Sequence, residues 1–398
     1  MAWRRPLTRI GSLLSLSAAS LAGAAEPQPR FEAQTLDAKV QIGYGVAIGD
    51  VDGDAKPDVL LADKKQFLWY RNPGKRGEAW TRHVMAENLT ALDNVCIAAR
   101  DIDGDGKVEV AVGAMWNPGE TNDPAKSGSV HHLIRPADPT QPWTPVALHH
   151  EVTVHRMRWL QIAPAKHCLI VLPLHGKGNK NGQGEGVKVL AYHPPANPSE
   201  PWRTQTLDDS MHLTHNLDVV QLEGDRREGL LIAGKEGLRG LHPAESAPRP
   251  IMEAFRHPSG EARAWTSPRL NVIAAIEPMH GNRVVVYHGD PSGNEPVTRA
   301  ILDETLKEGH ALAVADFMGL GQPQVVAGWR NPNQEKKVGL RMYTPNADRT
   351  GWERAWIDEN GMACEDLAVG DLDGDGRLDL VASGRATKNL KVYWNHKP

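Results

Sequence analysis

The chain is poor in cysteine and phenylalanine. Its 398 residues include 3 Cys and 4 Phe, against 12 Trp, 38 Gly and 29 Pro. An odd number of Cys leaves at least one thiol unpaired, so no disulfide framework is expected. Cys96, Cys168 and Cys364 fall in or beside expected buried strands, where Cys acts as a small hydrophobe. Neither charge sign dominates: 45 Lys and Arg stand against 49 Asp and Glu. That balance predicts no nucleic-acid partner and no attraction to an anionic membrane. Beyond the N-terminus no run is long and apolar enough to span a bilayer, so no stable membrane insertion is expected. A Gly-x-Ser-x-Gly elbow and a dinucleotide fingerprint in a βαβ context are also missing, which excludes those hydrolase and dehydrogenase layouts.

The first 24 residues read as a secretory signal peptide. Arg4 and Arg5 precede a mildly apolar stretch from Ile10 to Leu21, and Ala22-Gly23-Ala24 fits a small-residue cleavage site. The protein is therefore expected to be exported, to the periplasm or out of the cell. The length alone allows two or three domains.

A repeat decides between these. Val46-Ala47-Ile48-Gly49-Asp50 recurs as Ile97-Ala98-Ala99-Arg100-Asp101, Leu312-Ala313-Val314-Ala315-Asp316 and Leu367-Ala368-Val369-Gly370-Asp371. Weaker copies end at Gln161, Gln221 and Thr266. Each apolar strand is followed by a turn and a second apolar strand. The spacing of about 53 residues holds four short strands and their loops, which is one propeller blade. Trp80, Trp143, Trp202 and Trp352 mark the outer strands, which explains part of the Trp excess. The seventh copy ends too early for its own outer strand. Phe31 to Asp37 matches the pattern of Trp202 to Asp208 and is expected to supply it. The expected fold is all-β: one seven-bladed β-propeller over residues 25–398, closed by the N-terminal strand, which leaves no open sheet edge.

Three turns are rich in aspartate. They hold Asp50, Asp52, Asp54 and Asp58; Asp101, Asp103, Asp105 and Glu109; and Asp371, Asp373, Asp375 and Asp379. Alternating carboxylates in a tight Gly turn offer hard oxygens to one point, as Ca²⁺ requires. The alternative is a solvated turn in which Asp and Gly serve backbone geometry.

On the opposite face, the residue entering each innermost strand is Tyr44, Val95, His155, His215, Gly260, His310 and Glu365 in turn. Inner-strand entries ring the channel, so His155, His215 and His310 can converge on Zn²⁺ or a similar divalent ion. The alternative is that each His caps a strand or packs in the channel. Other loops on this face bring Trp116, His175, Lys177, Lys235, His280, Trp329, Arg330 and Arg385. Polar groups between aromatic walls suit a carbohydrate substrate. Such a site suits proton abstraction beside a carbonyl, with a His or Tyr as the base.

The acidic phrase resembles the FG-GAP or VCBS repeat known from integrin-type propellers. The resemblance implies structural Ca²⁺ and leaves function open. A second resemblance is carried by His155-Arg156-Met157-Arg158-Trp159, His175-Gly176-Lys177-Gly178-Asn179, Thr214-His215-Asn216, Glu277-Pro278-Met279-His280, Gly309-His310-Ala311 and Gly384-Arg385-Ala386-Thr387-Lys388-Asn389. These segments look like the propeller domain of the aldos-2-ulose dehydratase family, which eliminates water from keto-sugars such as 1,5-anhydrofructose. The resemblance implies metal-assisted β-elimination at the propeller centre. His155, His215 and His310 would be ligands, and His175 and His280 acid/base groups, with Tyr44 and Glu365 as further catalytic candidates. Trp116, Lys177, Lys235, Trp329, Arg330 and Arg385 would line the sugar site. The two cupin domains of that family have no counterpart here, so an isomerase step is not expected. A non-enzymatic glycan- or protein-binding propeller and a polysaccharide lyase or hydrolase are the competing readings.

Overall fold

Short apolar segments separated by Gly, Pro and Asp turns pair locally, and the chain becomes seven antiparallel four-stranded sheets. The computed structural model describes residues 30–221, 227–242, 249–252, 255–267, 270–289, 297–346 and 350–396. The proposed signal segment, 1–24, lies outside them. Each sheet is one blade, ordered from inner to outer strand along the chain. The innermost strands are Gly45–Gly49, Cys96–Arg100, Val154–Ala163, Thr214–Gln221, Glu261–Ser267, Gly309–Ala315 and Cys364–Gly370, for blades 1 to 7. They neighbour one another in a ring that runs from blade 7 back to blade 1. Among the described residues the one helical turn is Pro124–Lys126, and no helix is long and apolar enough to cross a membrane.

The ring closes as the repeat predicts. The strand Arg30–Asp37 is the outer strand of blade 7, paired antiparallel with Asn389–His396 from Arg30 opposite His396 to Asp37 opposite Leu390. Strand alternation then sends apolar side chains to both faces of each blade. Among the described residues seven hydrophobic clusters result, one between each pair of neighbouring blades. The outer-strand Trp residues plug these clusters from the rim. Trp143 and Trp202 do so with the same brace, each indole N–H donating to a proline carbonyl four residues earlier at 3.0 Å.

Polar latches join successive blades. The end of an outer strand presents a carboxylate to a tyrosine on the third strand of the next blade. Tyr70 donates to Asp37 at 2.7 Å, Tyr343 to Asp303 at 2.8 Å and Tyr393 to Asp358 at 2.7 Å. The three Cys are buried and free, and burial raises each thiol pKa, as expected of small core residues.

Candidate functional site

The mouth of the channel is built by a repeated backbone irregularity. In blades 3, 4, 6 and 7 the pairing of the innermost strand slips by one residue at its start. The residues skipped are His155, His215, His310 and Glu365. A bulge re-aims the side chain it carries. In the first two strands of blades 1, 2 and 5, whose entries are Tyr44, Val95 and Gly260, the pairing runs without a slip.

The three histidines are held alike. His155 Nδ1 lies 2.7 Å from the carbonyl of His215, His215 Nδ1 is 3.0 Å from that of Gly260, and His310 Nδ1 is 2.6 Å from that of Glu365. Each ring thus bonds to the entry position of the next blade. A carbonyl only accepts, so each Nδ1 carries a proton and each Nε2 is left for other contacts. Burial, with nearby Arg156 and Arg330, holds His155 and His310 well below the usual histidine range. Both rings are therefore neutral near pH 7.

His280 joins them from the turn after the second strand of blade 5. Its Nε2 lies 2.8 Å from His215 Nε2, and its ring stacks on that of His310 at 5.0 Å. His280 is exposed as a residue, but packing of its ring, with His215 and Arg330, lowers its pKa to about 3. The turn needs Gly281: a Cβ there would stand 2.2 Å from the Glu277 carbonyl oxygen. Ligand nitrogens of His215, His280 and His310 all lie within 4.8 Å of one another. The grouping differs from the expected set. His280 is in it, while His155 sits one place round the ring, 4.8 Å from His215 and stacked on Trp116 at 5.0 Å.

The rest of the mouth is charged. Glu365 is buried with its carboxylate 3.0 Å from Arg385 and 3.5 Å from Arg330. The Arg385 guanidinium covers the Tyr44 ring at 5.5 Å. Tyr44 donates to Asp93 at 3.3 Å, and burial with that carboxylate pushes its pKa up to about 12. The Trp116 N–H returns to the Asp93 carbonyl at 2.9 Å, closing the circuit of contacts around the mouth.

Other expected site residues lie elsewhere. Trp329 has no exposed surface and packs between blades 5 and 6, with its indole donating to the Lys337 carbonyl at 2.9 Å. It is a core residue, correcting the expectation of a pocket wall. Lys177 is exposed, and Lys235 reaches the Asn181 carbonyl at 3.2 Å. His175 is half-buried, tied through its backbone to Thr153, with its Nδ1 buried and unpartnered.

Sequence reasoning passed over the layer just below. Arg156, Asn216, Glu261 and Asp366 each directly follow an entry position, and all four are buried. Glu261 stands 3.0 Å from His215 Nδ1, a carboxylate brace of the kind that fixes a ligand imidazole. Burial alone would raise its pKa, but His215 and Arg263 lower it. The available signal was four polar residues at one aligned position of otherwise apolar strands.

At the other end of the channel, each acidic turn gathers three carboxylates within 4.8 Å: Asp50, Asp52 and Asp58; Asp101, Asp103 and Glu109; Asp371, Asp373 and Asp379. Asp54, Asp105 and Asp375 are not in these groups. They pair with Lys56 at 3.0 Å, with Lys107 at 3.1 Å, and with Arg76 and Arg377. Burial and then neighbouring carboxylates raise Asp58 and Glu109 to about 7, and Asp379 to about 6, against backbone N–H donors that pull them down.

A family model described as an FG-GAP-like repeat matches residues 50–112. The match opens at the first acidic turn and spans the second, so the FG-GAP-like repeat covers the junction of blades 1 and 2. A chain in the crystal structure of BBS1N in complex with ARL6DN, soaked with mercury, is 13% identical, with 92% of this chain and 97% of that one covered at a TM-score of 0.53. A chain of the lead-soaked form is 12% identical, with 91% and 95% covered and a TM-score of 0.53. At that identity the likeness speaks for the fold. No curated protein matches the chain.

Proposed function

We propose that this protein is an exported, metal-dependent carbon–oxygen lyase that performs β-elimination on a keto-sugar at the channel mouth. The carrying observation is the ring of bulged entry residues, whose histidines present Nε2 while Nδ1 is locked to the next blade. The donor set fits a borderline divalent ion such as Zn²⁺. His215, His280 and His310 would hold it, with Glu261 behind His215. The 2.8 Å approach of His215 Nε2 to His280 Nε2 brings two imidazole nitrogens to one point, where a proton or a cation can lie between them.

When bound, such an ion would polarise a substrate carbonyl and acidify the adjacent C–H. The protein's own groups then divide the work. Arg330 and Arg385, anchored on Glu365, would bind sugar oxygens, with the Trp116 face beside them. Tyr44 stays protonated at neutral pH and would donate its phenolic proton to the leaving hydroxyl. His175, which burial keeps neutral, is the candidate base by the resemblance alone, since it stands outside the group of contacts at the mouth. The acidic turns would bind Ca²⁺ as structural ions at the opposite face. His280 thus moves from acid/base candidate to ligand in this reading.

The test is ultraviolet absorbance on keto-sugars with and without added Zn²⁺. An enone that appears only with metal, and is lost in His215→Ala, supports the lyase. Unchanged turnover in His215→Ala would sink the ligand set. Glycan binding without chemical change would favour the binding-module reading.

A further inference from the structure

The lower half of the channel holds an open chamber of about 390 Å³, at the end away from the histidines. Its walls are the innermost strands, and their chemistry is one-sided. Blades 3, 4 and 5 contribute Arg158, Asp218 and Arg263, while the other blades line it with aliphatic residues such as Ala47, Ala98, Ala313 and Ala368 and, from blade 2, with Arg100. Small side chains on four blades leave the room that long polar ones on three blades reach into.

The charged groups are unequally partnered. Arg158 donates to the Met157 carbonyl at 2.9 Å, and among the described residues no carboxylate lies within ion-pair distance of it. Burial, and then the like charge of Arg263, lower its pKa. Arg263 donates to the Ala262 carbonyl at 2.7 Å and reaches Glu261 at 3.5 Å. Glu261 is already engaged by Asn216 and His215 in the layer above. Asp218 accepts the Ala264 N–H at 3.0 Å, and burial raises its pKa against the pull of Arg263 and Arg158. Arg100 at the lower mouth is paired with Glu228 at 2.8 Å. Arg156 and Asp366 face the chamber's charges from the layer above, Arg156 donating to the Tyr44 carbonyl at 3.0 Å and Asp366 accepting the Val46 N–H at 2.9 Å. Arg263 thus has Glu261 at its side, while Arg158 faces a largely apolar chamber with no carboxylate in ion-pair contact among the described residues.

We propose that this chamber binds a short aliphatic carboxylate, its oxygens on Arg158 and Arg263 and its hydrocarbon part against the alanine-lined blades. A guanidinium is the donor best matched to a carboxylate, and the aliphatic wall favours a ligand with an apolar tail over a symmetric inorganic anion. The site uses other side chains than the histidine mouth and the other end of the channel, with Arg263 linked to His215 through Glu261.

Isothermal titration of the full chain with butyrate tests this, with butyramide and inorganic phosphate as comparators. Butyrate is expected to bind and butyramide not to. Arg158→Gln should weaken butyrate by about tenfold or more, the loss of a charge-assisted contact. Ala368→Leu, which fills the chamber and keeps every charge, should weaken it as well, so the result does not rest on one variant's folding. The proposal is overturned if butyrate gives no binding heat at millimolar concentration, if both variants bind it as the wild type does, if butyramide binds equally, or if phosphate binds and butyrate does not.

Discussion

A histidine's role here follows from what its Nδ1 touches. His155, His215 and His310 donate Nδ1–H to a carbonyl of the next blade, which fixes the ring. His132 is the counter-example. It is 5% exposed, its Nδ1 has no partner, and burial alone lowers its pKa to about 4. It therefore marks acid sensitivity. The unfolded chain takes up a proton as pH falls below the free histidine value, while the folded chain resists until about 4. Stability is thus intact above about pH 6.5 and falls with pH through that window, by roughly 1.4 kcal/mol per unit for this one group. His132→Phe, packed against the same Trp202 ring, should show a smaller drop in Tm between pH 7 and pH 5 than the wild type. An equal or larger drop would mean that the burial of His132 is not what titrates.

Among the elements, two irregularities matter: the entry bulges and the blade-to-blade latches. The latch at Asp303 is the most buried of them, with Arg341 at 3.0 Å and Tyr343 at 2.8 Å on one carboxylate oxygen. Tyr343→Phe removes one neutral donor and should cost about 1 kcal/mol. Asp303→Asn removes one of the two carboxylates on Arg341, which is 4% exposed and keeps Glu335 at 2.9 Å, and should cost more, about 2 kcal/mol. Guanidinium unfolding of both variants checks the ranking, and equal losses would contradict it. The sequence carried the strands well, since apolar alternation between Asp and Gly turns has one reading at this spacing. It carried the bulges only as a hint. An aligned His at positions 155, 215 and 310 shows equivalence, but the one-residue slip that turns the ring depends on pairing geometry. His280 was seen as functional but not as a partner of His215, because the turn that carries it belongs to another loop set. Trp329 misled for a related reason: beside Arg330 and Asn331 it reads as a loop residue, yet it ends a strand and faces the gap between blades.

For the whole molecule, a length that admits several domains is one ring with seven inter-blade clusters. Closure by Arg30–Asp37 was legible because Thr35-Leu36-Asp37 repeats the outer-strand phrase Thr206-Leu207-Asp208. The division of the channel was not. Arg158, Asp218 and Arg263 lie in weak copies of the repeat, and only the ring brings them to one level. The result is a disc with acidic turns and a cationic chamber toward one end, and neutral imidazoles at the other. The measurement that tests the central claim most directly is metal content by elemental analysis of the purified chain and its His215→Ala variant. The account predicts a single equivalent of transition metal in the wild type, lost in His215→Ala while calcium is retained. A wild type free of transition metal after incubation with Zn²⁺, or a variant that keeps its full equivalent, would contradict it.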